Sequence, residues 1–270
     1  MATVNGYLTS LQSDLYVNGA EKDKIKTSID AICTRLGYYF GNPEHNIHKI
    51  IKKDIFGSYS RDTMLSRKYD EDSDIDLMVI FEDANEYTPQ TCLNWLKGFA
   101  DYWYPNSLVK QSLPTIVIEL QNIKFELVPA YKNDYGNLYI AKDSSNWQYT
   151  NPKDLNDKMN KLNGTTNYEF KRIIRTIKYW NVKKNYRRYK SYSLEKYLTE
   201  KFETSYLYCN NQFDYLDWAF FHLGNYSTND DYISNRIKTA KDNIELAQKY
   251  EKNYDYDLAI ECIKRVIPKT

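Results

Sequence analysis

The chain has 270 residues, enough for one large domain or two lobes, and its 37 Lys and Arg against 36 Asp and Glu leave a net charge of +1. This balance excludes an overall basic face, so we expect no stable binding to nucleic acid. No stretch is long and apolar enough to span a membrane, and the start lacks the pattern of a secretion signal, so we expect a cytoplasmic protein without membrane contact.

The first half of the chain predicts two helices followed mainly by strands. Apolar residues recur at helical spacing through the first forty residues, with a break at Val17–Gly19. Thr88–Trp103 predicts a further helix, with Pro89 in its first turn. Strands are predicted for Lys49–Phe56, Asp74–Phe81, Thr115–Leu120 and Ile123–Val128. The last two strands are close enough to form a hairpin.

After Pro152 the apolar pattern is helical. Helices are predicted for Pro152–Leu162, Asn167–Lys184, Ser191–Tyr208, Phe213–Leu223, Tyr232–Lys249 and Asp255–Val266. The sequence therefore predicts an α+β protein. Residues 1–150 would form N-terminal helices and a catalytic lobe with a mixed sheet, and residues 151–270 a helical lobe, with the active-site cleft between the lobes.

A glycine-serine turn followed by paired aspartates is the most informative segment. Gly57 permits a tight turn and, with Ser58, can bring backbone N–H groups close to a phosphate. Asp74 and Asp76 begin the next strand and point to one face, because side chains two apart on a strand share a face. The opposite face is apolar, with Ile75, Leu77, Val79 and Phe81. This order is typical of metal-dependent phosphoryl transfer.

A third carboxylate is expected on an adjacent strand, because two-metal phosphoryl transfer places cations about 3.5–4 Å apart between several carboxylates. Glu126 fits, since Phe125 and Leu127 would face the core while Glu126 shares the other face. Glu119, on the preceding strand, is the rival. No cluster of His or Cys offers a softer site, so Mg²⁺ is the expected metal.

Basic residues of the helical half permit two interpretations. Lys178 could reach a phosphate, although a lysine on an amphipathic helix is usually solvated. The basic run Lys183–Lys190 is the best candidate for a nucleic-acid patch. Such a run at the end of a helix is more often a solvated terminus that complements the helix dipole.

Five segments occur in an order that resembles the polymerase-β-like nucleotidyltransferases. They are Gly57–Thr63, Asp74–Asp76, Phe125–Ala130, Ile177–Trp180 and Ser191–Glu195. The first two indicate only the superfamily. The last two are similar to the bacterial cGAS/DncV-like nucleotidyltransferases (CD-NTases) of CBASS antiphage defence. The likeness spans about residues 50–200 and implies a polymerase-β-like nucleotidyltransferase lobe with a helical lobe added.

The resemblance implies a role for each matched position of the first half. Gly57 and Ser58 would hold the donor triphosphate. The carboxylates of Asp74, Asp76 and Glu126 would be the catalytic groups and would bind two Mg²⁺ ions, with Mn²⁺ as a substitute. Many relatives carry Asp where this chain has Glu126, so the exact ligation of that position departs from the family pattern.

In the second half, the resemblance implies that Lys178 and Ser191 contact the β- and γ-phosphates. Tyr192 would stack on a nucleobase, which holds a base without identifying it. Base choice would come from groups near the cleft, for which Trp147–Asn151 is the candidate stretch.

The reaction implied by the resemblance is attack of a ribose 2′ or 3′ hydroxyl on the α-phosphate of a second nucleoside triphosphate, with release of diphosphate. Repeating the step closes a cyclic di- or trinucleotide. The implied partners are ribonucleoside triphosphates, as substrates, and an effector protein encoded nearby that the cyclic product activates. We expect the protein to be a monomer.

Two other interpretations remain open from the sequence. A nucleotidyltransferase acting on a small molecule, such as an antibiotic, or on an RNA 3′ end would have the same metal motif. The helical half with Lys178, Ser191 and Tyr192 favours the cyclic oligonucleotide synthase. A module that binds nucleotide without turnover is disfavoured, because it has no need to keep Asp74 and Asp76 together without a cation to offset their repulsion.

Overall fold

The computed structural model describes residues 3–205, 209–226 and 230–269, which form two compact units. The strand unit comprises residues 18–62 and 72–154. The helical unit comprises the described residues of 1–17, 63–71 and 155–270. The strand unit combines a sheet with helices, whereas the helical unit is built from helices. The predicted α+β class is therefore confirmed.

A mixed seven-stranded sheet forms the centre of the strand unit. Its strands are β1 (Ile50–Phe56), β2 (Asp74–Phe81), β3 (Leu108–Ser112), β4 (Thr115–Glu119), β5 (Lys124–Lys132), β6 (Leu138–Ala141) and β7 (Trp147–Thr150). The main path runs β1-β2-β5-β4-β3, while β6 pairs with β5 and β7. Strands β2 and β5 are parallel, and the other described pairs are antiparallel. This order makes β2 and β5 central neighbours.

One face of the sheet is buried by helices. Phe81 at the end of β2 contacts Phe40 of α2 (Gly19–Gly41) with ring centroids 5.1 Å apart. It also contacts Trp95 of α4 (Pro89–Trp103) at 5.2 Å. The α4 helix begins as its sequence predicts, with Thr88 as N-cap accepting a hydrogen bond from the Thr91 backbone. The alternation along β2 thus directs its apolar side chains toward these helices.

The helical unit is organised around α6 (Glu169–Lys183). The other helices are α1 (Val4–Leu15), α5 (Pro152–Thr165), α7 (Ser191–Ser205), α8 (Gln212–Gly224), α9 (Asp231–Lys252) and α10 (Tyr256–Val266). Ile177 of α6 is fully buried, and the Trp180 ring meets Phe220 of α8 edge-on at 5.1 Å. Because α6 is buried on most sides, even polar residues along it are enclosed.

The observed units differ from a division at residue 150 in two longer stretches, and the boundary itself lies four residues later, at 154/155. Helix α1 belongs to the helical unit, because its apolar stripe, from Val4 to Leu15, lies in the same core cluster as α6. Thr63–Glu71 also belongs there, with Leu65 and Tyr69 in that cluster. The physical reason is burial: the sheet is already covered by α2 and α4, whereas the helical core accepts these apolar side chains.

The predicted elements agree closely with the observed ones. Strand β2 has the predicted bounds, the β4–β5 hairpin is confirmed, and each helix predicted after Pro152 is present within a few residues. The predicted end of the helix from Ser191 to Tyr208 lies outside the described residues. Strands β3, β6 and β7 and the four-residue helix α3 (Gly57–Ser60) were not predicted.

Within the described residues, no helix is long and apolar enough to cross a membrane. The four cysteines, Cys33, Cys92, Cys209 and Cys262, are free thiols. Burial raises the pKa of Cys92 and that of Cys209 to about 12, so both remain protonated and unreactive near neutral pH.

Candidate active site

The two aspartates of β2 lie on the central pair of strands. Asp74 is in register with Lys124 of β5, and Asp76 is in register with Glu126. On its other side, Asp76 faces Phe56 of β1. The aspartates are half-buried, while the side chains that alternate with them on β2 are fully buried. The predicted arrangement of carboxylates on one face and core on the other is therefore present.

Gly57 lies directly against Asp76. Its φ of +72° is in the left-handed region, and a Cβ atom there would be 1.7 Å from Asp76 Oδ2. Only glycine fits both conditions without displacing the carboxylate. Ser58 follows within α3 and is half-buried. The turn and the Asp76 carboxylate thus form one closely packed corner of the strand unit.

Lys124 joins Asp74 and Glu126 into a charged cluster. Its ammonium nitrogen is 3.4 Å from Asp74 Oδ2 and 3.7 Å from Glu126 Oε1. Burial raises the pKa of Glu126, the Asp74 carboxylate raises it further, and Lys124 offsets only part of this effect. Burial lowers the pKa of Lys124, but the charges of Asp74 and Glu126 outweigh it and the net change is upward.

Glu119 lies on β4 beside Lys124, yet its environment is different. It is exposed, and its carboxylate pairs with Lys110 of β3 at 3.5 Å. Glu126, by contrast, is half-buried and is in register with Asp76. Of the two glutamates considered as third carboxylate, Glu126 is the one adjacent to the aspartate strand.

The donor atoms of this cluster determine which metal it could hold. Among the described residues, no three His, Cys, Asp or Glu side chains are already gathered around one metal position. However, Asp74, Asp76 and Glu126 offer only oxygen donors on adjacent strands, which suits hard cations. The Lys124 ammonium already occupies a cation position between two of them. The residues therefore fit a cation site.

Lys178 of α6 is buried and engaged within the helical unit. Its ammonium donates to the Thr63 carbonyl at 2.9 Å and to Glu195 Oε1 at 2.8 Å. The Thr63 hydroxyl donates to the same carboxylate oxygen at 2.8 Å. Lys178 is 7% exposed and Glu195 is fully buried. The lysine is thus not the solvated helix residue that its isolated sequence suggested.

Ser191 and Tyr192 begin α7 and are exposed. The loop before them is held by Asn181, whose side-chain oxygen accepts from the Tyr189 backbone N–H at 3.2 Å. The Asn181 side-chain amide also donates to the Tyr189 carbonyl at 2.9 Å. This buried asparagine fixes the backbone directly ahead of Ser191.

The basic run at residues 183–190 is partly neutralised. Arg187 pairs with Asp70, and Arg188 pairs with Asp230 at 2.5 Å. The Arg188 guanidinium also lies 4.4 Å from the Tyr232 ring centroid. These contacts favour a structural role for the two arginines over a nucleic-acid patch.

Trp147, the first residue of the stretch considered for base choice, packs within the strand unit. Its indole donates to the Tyr87 carbonyl at 3.0 Å, and its ring meets Tyr131 edge-on at 5.1 Å. Both contacts tie β7 to the rest of the unit.

Three residues at these two sites were missed by sequence reasoning: Lys124, Thr63 and Glu195. A signal existed for Lys124, because it is two positions before Glu126 on the same strand and so shares its face. Thr63 and Glu195 are the last residues of the Gly57–Thr63 and Ser191–Glu195 segments. No spacing rule indicated that they form hydrogen bonds with each other and with Lys178.

A tight glycine turn packed on a carboxylate strand, with an acidic neighbour strand in parallel, is the arrangement of a nucleotidyltransferase. The family model of the Second Messenger Oligonucleotide or Dinucleotide Synthetase domain matches residues 1–163. The chain belongs to this family. It is therefore a nucleotidyltransferase of the second-messenger synthetase class, and this interpretation of the motifs is confirmed over transfer to a small molecule or an RNA end.

The relatives are consistent with this assignment. A protein of Bacillus cereus (strain VD146), named a probable cyclic nucleotide synthase, is 28% identical over 324 aligned positions, covering 92% of this chain and 96% of the relative. The structure of CdnC from E. coli MS115-1 with ATP matches with a TM-score of 0.74 and 14% identity, over 98% of this chain and 97% of that one.

The fold extends to a more distant synthase. Vibrio cholerae DncV, a cyclic AMP-GMP synthase described as a prokaryotic cGAS homologue, matches with a TM-score of 0.63 and 11% identity, covering 81% of this chain and 70% of that one. The predicted polymerase-β-like fold of the CD-NTases is thereby confirmed.

Proposed function

We propose that this protein joins ribonucleoside triphosphates into a cyclic di- or trinucleotide by attack of a ribose hydroxyl on an α-phosphate, with release of diphosphate. The observation that carries the proposal is the register of Asp76 with Glu126 beside the Gly57 turn. It places two carboxylates next to a backbone turn of the kind whose N–H groups bind phosphates.

Asp74, Asp76 and Glu126 would hold the metal ions. Their all-oxygen donor set favours Mg²⁺, with Mn²⁺ as a substitute. When bound, the two ions would supply activation of the attacking hydroxyl and charge neutralisation of the leaving diphosphate. The protein contributes rigidity, because each carboxylate is carried by a central strand with buried neighbours.

The remaining predicted residues would bind the nucleotides. Gly57 and Ser58 would receive the donor triphosphate through the turn. In the helical unit, Lys178 and Ser191 would contact phosphates, and the exposed Tyr192 ring would stack on a base. Lys178 would contact a phosphate oxygen through its third ammonium hydrogen, since Thr63 and Glu195 accept from the other two.

The product would act as a second messenger. We infer that it activates an effector protein encoded nearby, in antiphage signalling of the CBASS type. Support comes from membership of the second-messenger synthetase family.

The test is incubation of purified protein with all four ribonucleoside triphosphates and Mg²⁺, followed by mass spectrometry of phosphatase-treated products. Phosphatase-resistant cyclic nucleotides are expected from the natural protein and not from the double variant Asp74→Ala, Asp76→Ala. Their persistence at full yield in that variant would overturn the proposal.

A matched pair of variants tests the third carboxylate. Glu126→Gln should lower the rate by about 10²–10³-fold, because it removes one charged oxygen from the site. Glu119→Gln, on the neighbouring strand, should leave the rate within about twofold of the natural protein. The reverse result would assign the role to Glu119.

A further inference from the structure

Lys124 is a largely enclosed cation beside the Asp74 and Glu126 carboxylates of the strand unit. Its side chain is 17% exposed, and those of Asp74 and Glu126 are 27% and 25% exposed. The register of β2 with β5 brings it there, because Lys124 faces Asp74 directly and shares a face with Glu126 two positions later. The strand register therefore fixes the Lys124 ammonium beside the Asp74 and Glu126 carboxylates.

Two half-buried carboxylates close together require a counter-charge. Without one, like-charge repulsion and the loss of hydration would disfavour their ionised forms. The Lys124 ammonium, 3.4 Å from Asp74 and 3.7 Å from Glu126, supplies that charge within the chain. A divalent cation requires direct contact with the same oxygens at about 2.0–2.1 Å for Mg²⁺. The Lys124 ammonium and a metal ion thus compete for the same carboxylate oxygens.

A second lysine pair on the same sheet provides a comparison. Lys110 and Glu119, on β3 and β4, are 3.5 Å apart, and their side chains are 54% and 44% exposed. Their charges are solvated with or without a partner, so the pair has little electrostatic influence beyond itself. Lys124 differs because its surroundings screen it much less.

We propose that Lys124 is a built-in counter-cation that holds Asp74 and Glu126 ready in the metal-free protein and must be displaced when metal binds. It is a positioning residue: it acts through the two carboxylates and sets the metal concentration at which the site fills. The inference rests on the proposed function, because it assumes that these carboxylates bind divalent metal. The consequence is that Lys124 orders the two carboxylates in the absence of metal and, by the same charge, lowers their affinity for metal.

The test is calorimetric titration of the full chain with Mn²⁺ in the absence of nucleotide. Lys124→Met should bind Mn²⁺ about tenfold more tightly than the natural protein, because the competing charge is gone. Lys124→Arg keeps the charge and should restore the natural affinity to within about threefold. Lys110→Met, the matched control, should leave the affinity unchanged.

Thermal unfolding provides the second readout. In a chelator, Lys124→Met should melt at a lower temperature than the natural protein, and Mn²⁺ should raise its melting temperature by more than it raises that of the natural protein. If Lys124→Met is unfolded in chelator, recovery on addition of Mn²⁺ supports the proposal. Failure to recover would overturn it in favour of a purely structural lysine.

Two failures are distinguishable. If the natural protein gives neither binding heat nor a melting shift with Mn²⁺, and Asp76→Asn behaves identically, the metal assignment in the proposed function fails. If the natural protein binds Mn²⁺ and Lys124→Met binds equally or more weakly, only the role of Lys124 is overturned.

Discussion

Lys178 donates to Glu195 at 2.8 Å in the interior of the helical unit, and both side chains also bond to Thr63. The carboxylate is fully buried, so it depends on the lysine and the threonine hydroxyl for the compensation that water would give. Thr63 is the first residue of the Thr63–Glu71 segment, so the ion pair anchors that segment on α6 and α7.

Removing the charge of Glu195 should destabilise the protein strongly. We expect Glu195→Gln to lower the free energy of unfolding by about 3 kcal/mol, because Lys178 is left charged and buried without an ionic partner. Urea unfolding at pH 7 measures it. The double variant Lys178→Met, Glu195→Met should recover at least half of the loss, since no buried charge remains. A loss below about 1 kcal/mol in Glu195→Gln would contradict the burial argument.

Gly57→Ala should abolish activity and also lower stability. The new Cβ would displace the Asp76 carboxylate, and the left-handed backbone adds about 1–2 kcal/mol of strain. Gly136→Ala is the matched control: its φ is +78°, but nothing lies within 4 Å of its Cβ. Urea unfolding should show destabilisation in both variants, larger in Gly57→Ala, whereas diphosphate release should be lost only in Gly57→Ala. Equal activity in both variants would refute the packing argument.

Glu126 should reduce stability above its pKa when divalent metal is absent. Its pKa in the folded protein is raised above 4.5, chiefly by burial and then by Asp74, so the folded state holds this proton more tightly than the unfolded state. Its contribution therefore favours the fold below pH 4.5 and is lost as pH rises through the raised pKa. In chelator, Glu126→Gln should be more stable than the natural protein at pH 7.5, with the difference shrinking toward pH 4. Chemical unfolding between pH 4 and pH 7.5 measures the stability of both proteins. A stability difference that does not change with pH would contradict the raised pKa of Glu126.

Tyr192 should contribute to nucleotide binding and little to stability, because the residue is 56% exposed at the start of α7. Tyr192→Ala should raise KM for the nucleotide about tenfold, from the loss of about 1–3 kcal/mol of stacking, whereas Tyr192→Phe should stay near the natural value. Steady-state kinetics measures both. Tyr186→Ala, an exposed tyrosine on the preceding loop, is the control. An equal increase of KM in Tyr192→Ala and Tyr186→Ala would contradict a stacking role for Tyr192.

The strands of the site could be predicted because their sequence patterns are local. Alternation along Asp74–Phe81 identified both the strand and its buried face, and Glu126 followed from the same rule on β5. Strands β6 and β7 have four residues each, which is too short for their sequences to carry a periodic signal. They are strands because β5 extends beyond its pairing with β4, which leaves Ala130–Lys132 to pair with β6, and β6 then pairs with β7; this is a tertiary effect.

The membership of the two units could not be predicted from position along the chain. The amphipathic pattern of helix α1 indicates only that one face of the helix is buried. The core in which the apolar face of α1 packs depends on the space that remains beside α2 and α4 in the strand unit and beside α6 in the helical unit. In the same way, Lys178 looked solvated because no local pattern announces that Glu195, seventeen positions later, is buried beside it.

The chain passes between its two units four times, at residues 17/18, 62/63, 71/72 and 154/155. The strand unit is therefore not a module that a single cut could release. A fragment of residues 18–154 would contain Thr63–Glu71 without the core that buries Leu65 and Tyr69. Exchange of the helical unit between relatives, in the laboratory or in evolution, would have to carry three separate stretches of sequence together. Sequence change in α1 and in Thr63–Glu71 is thus expected to follow that of the distant α6, and not that of the strands beside them in the chain.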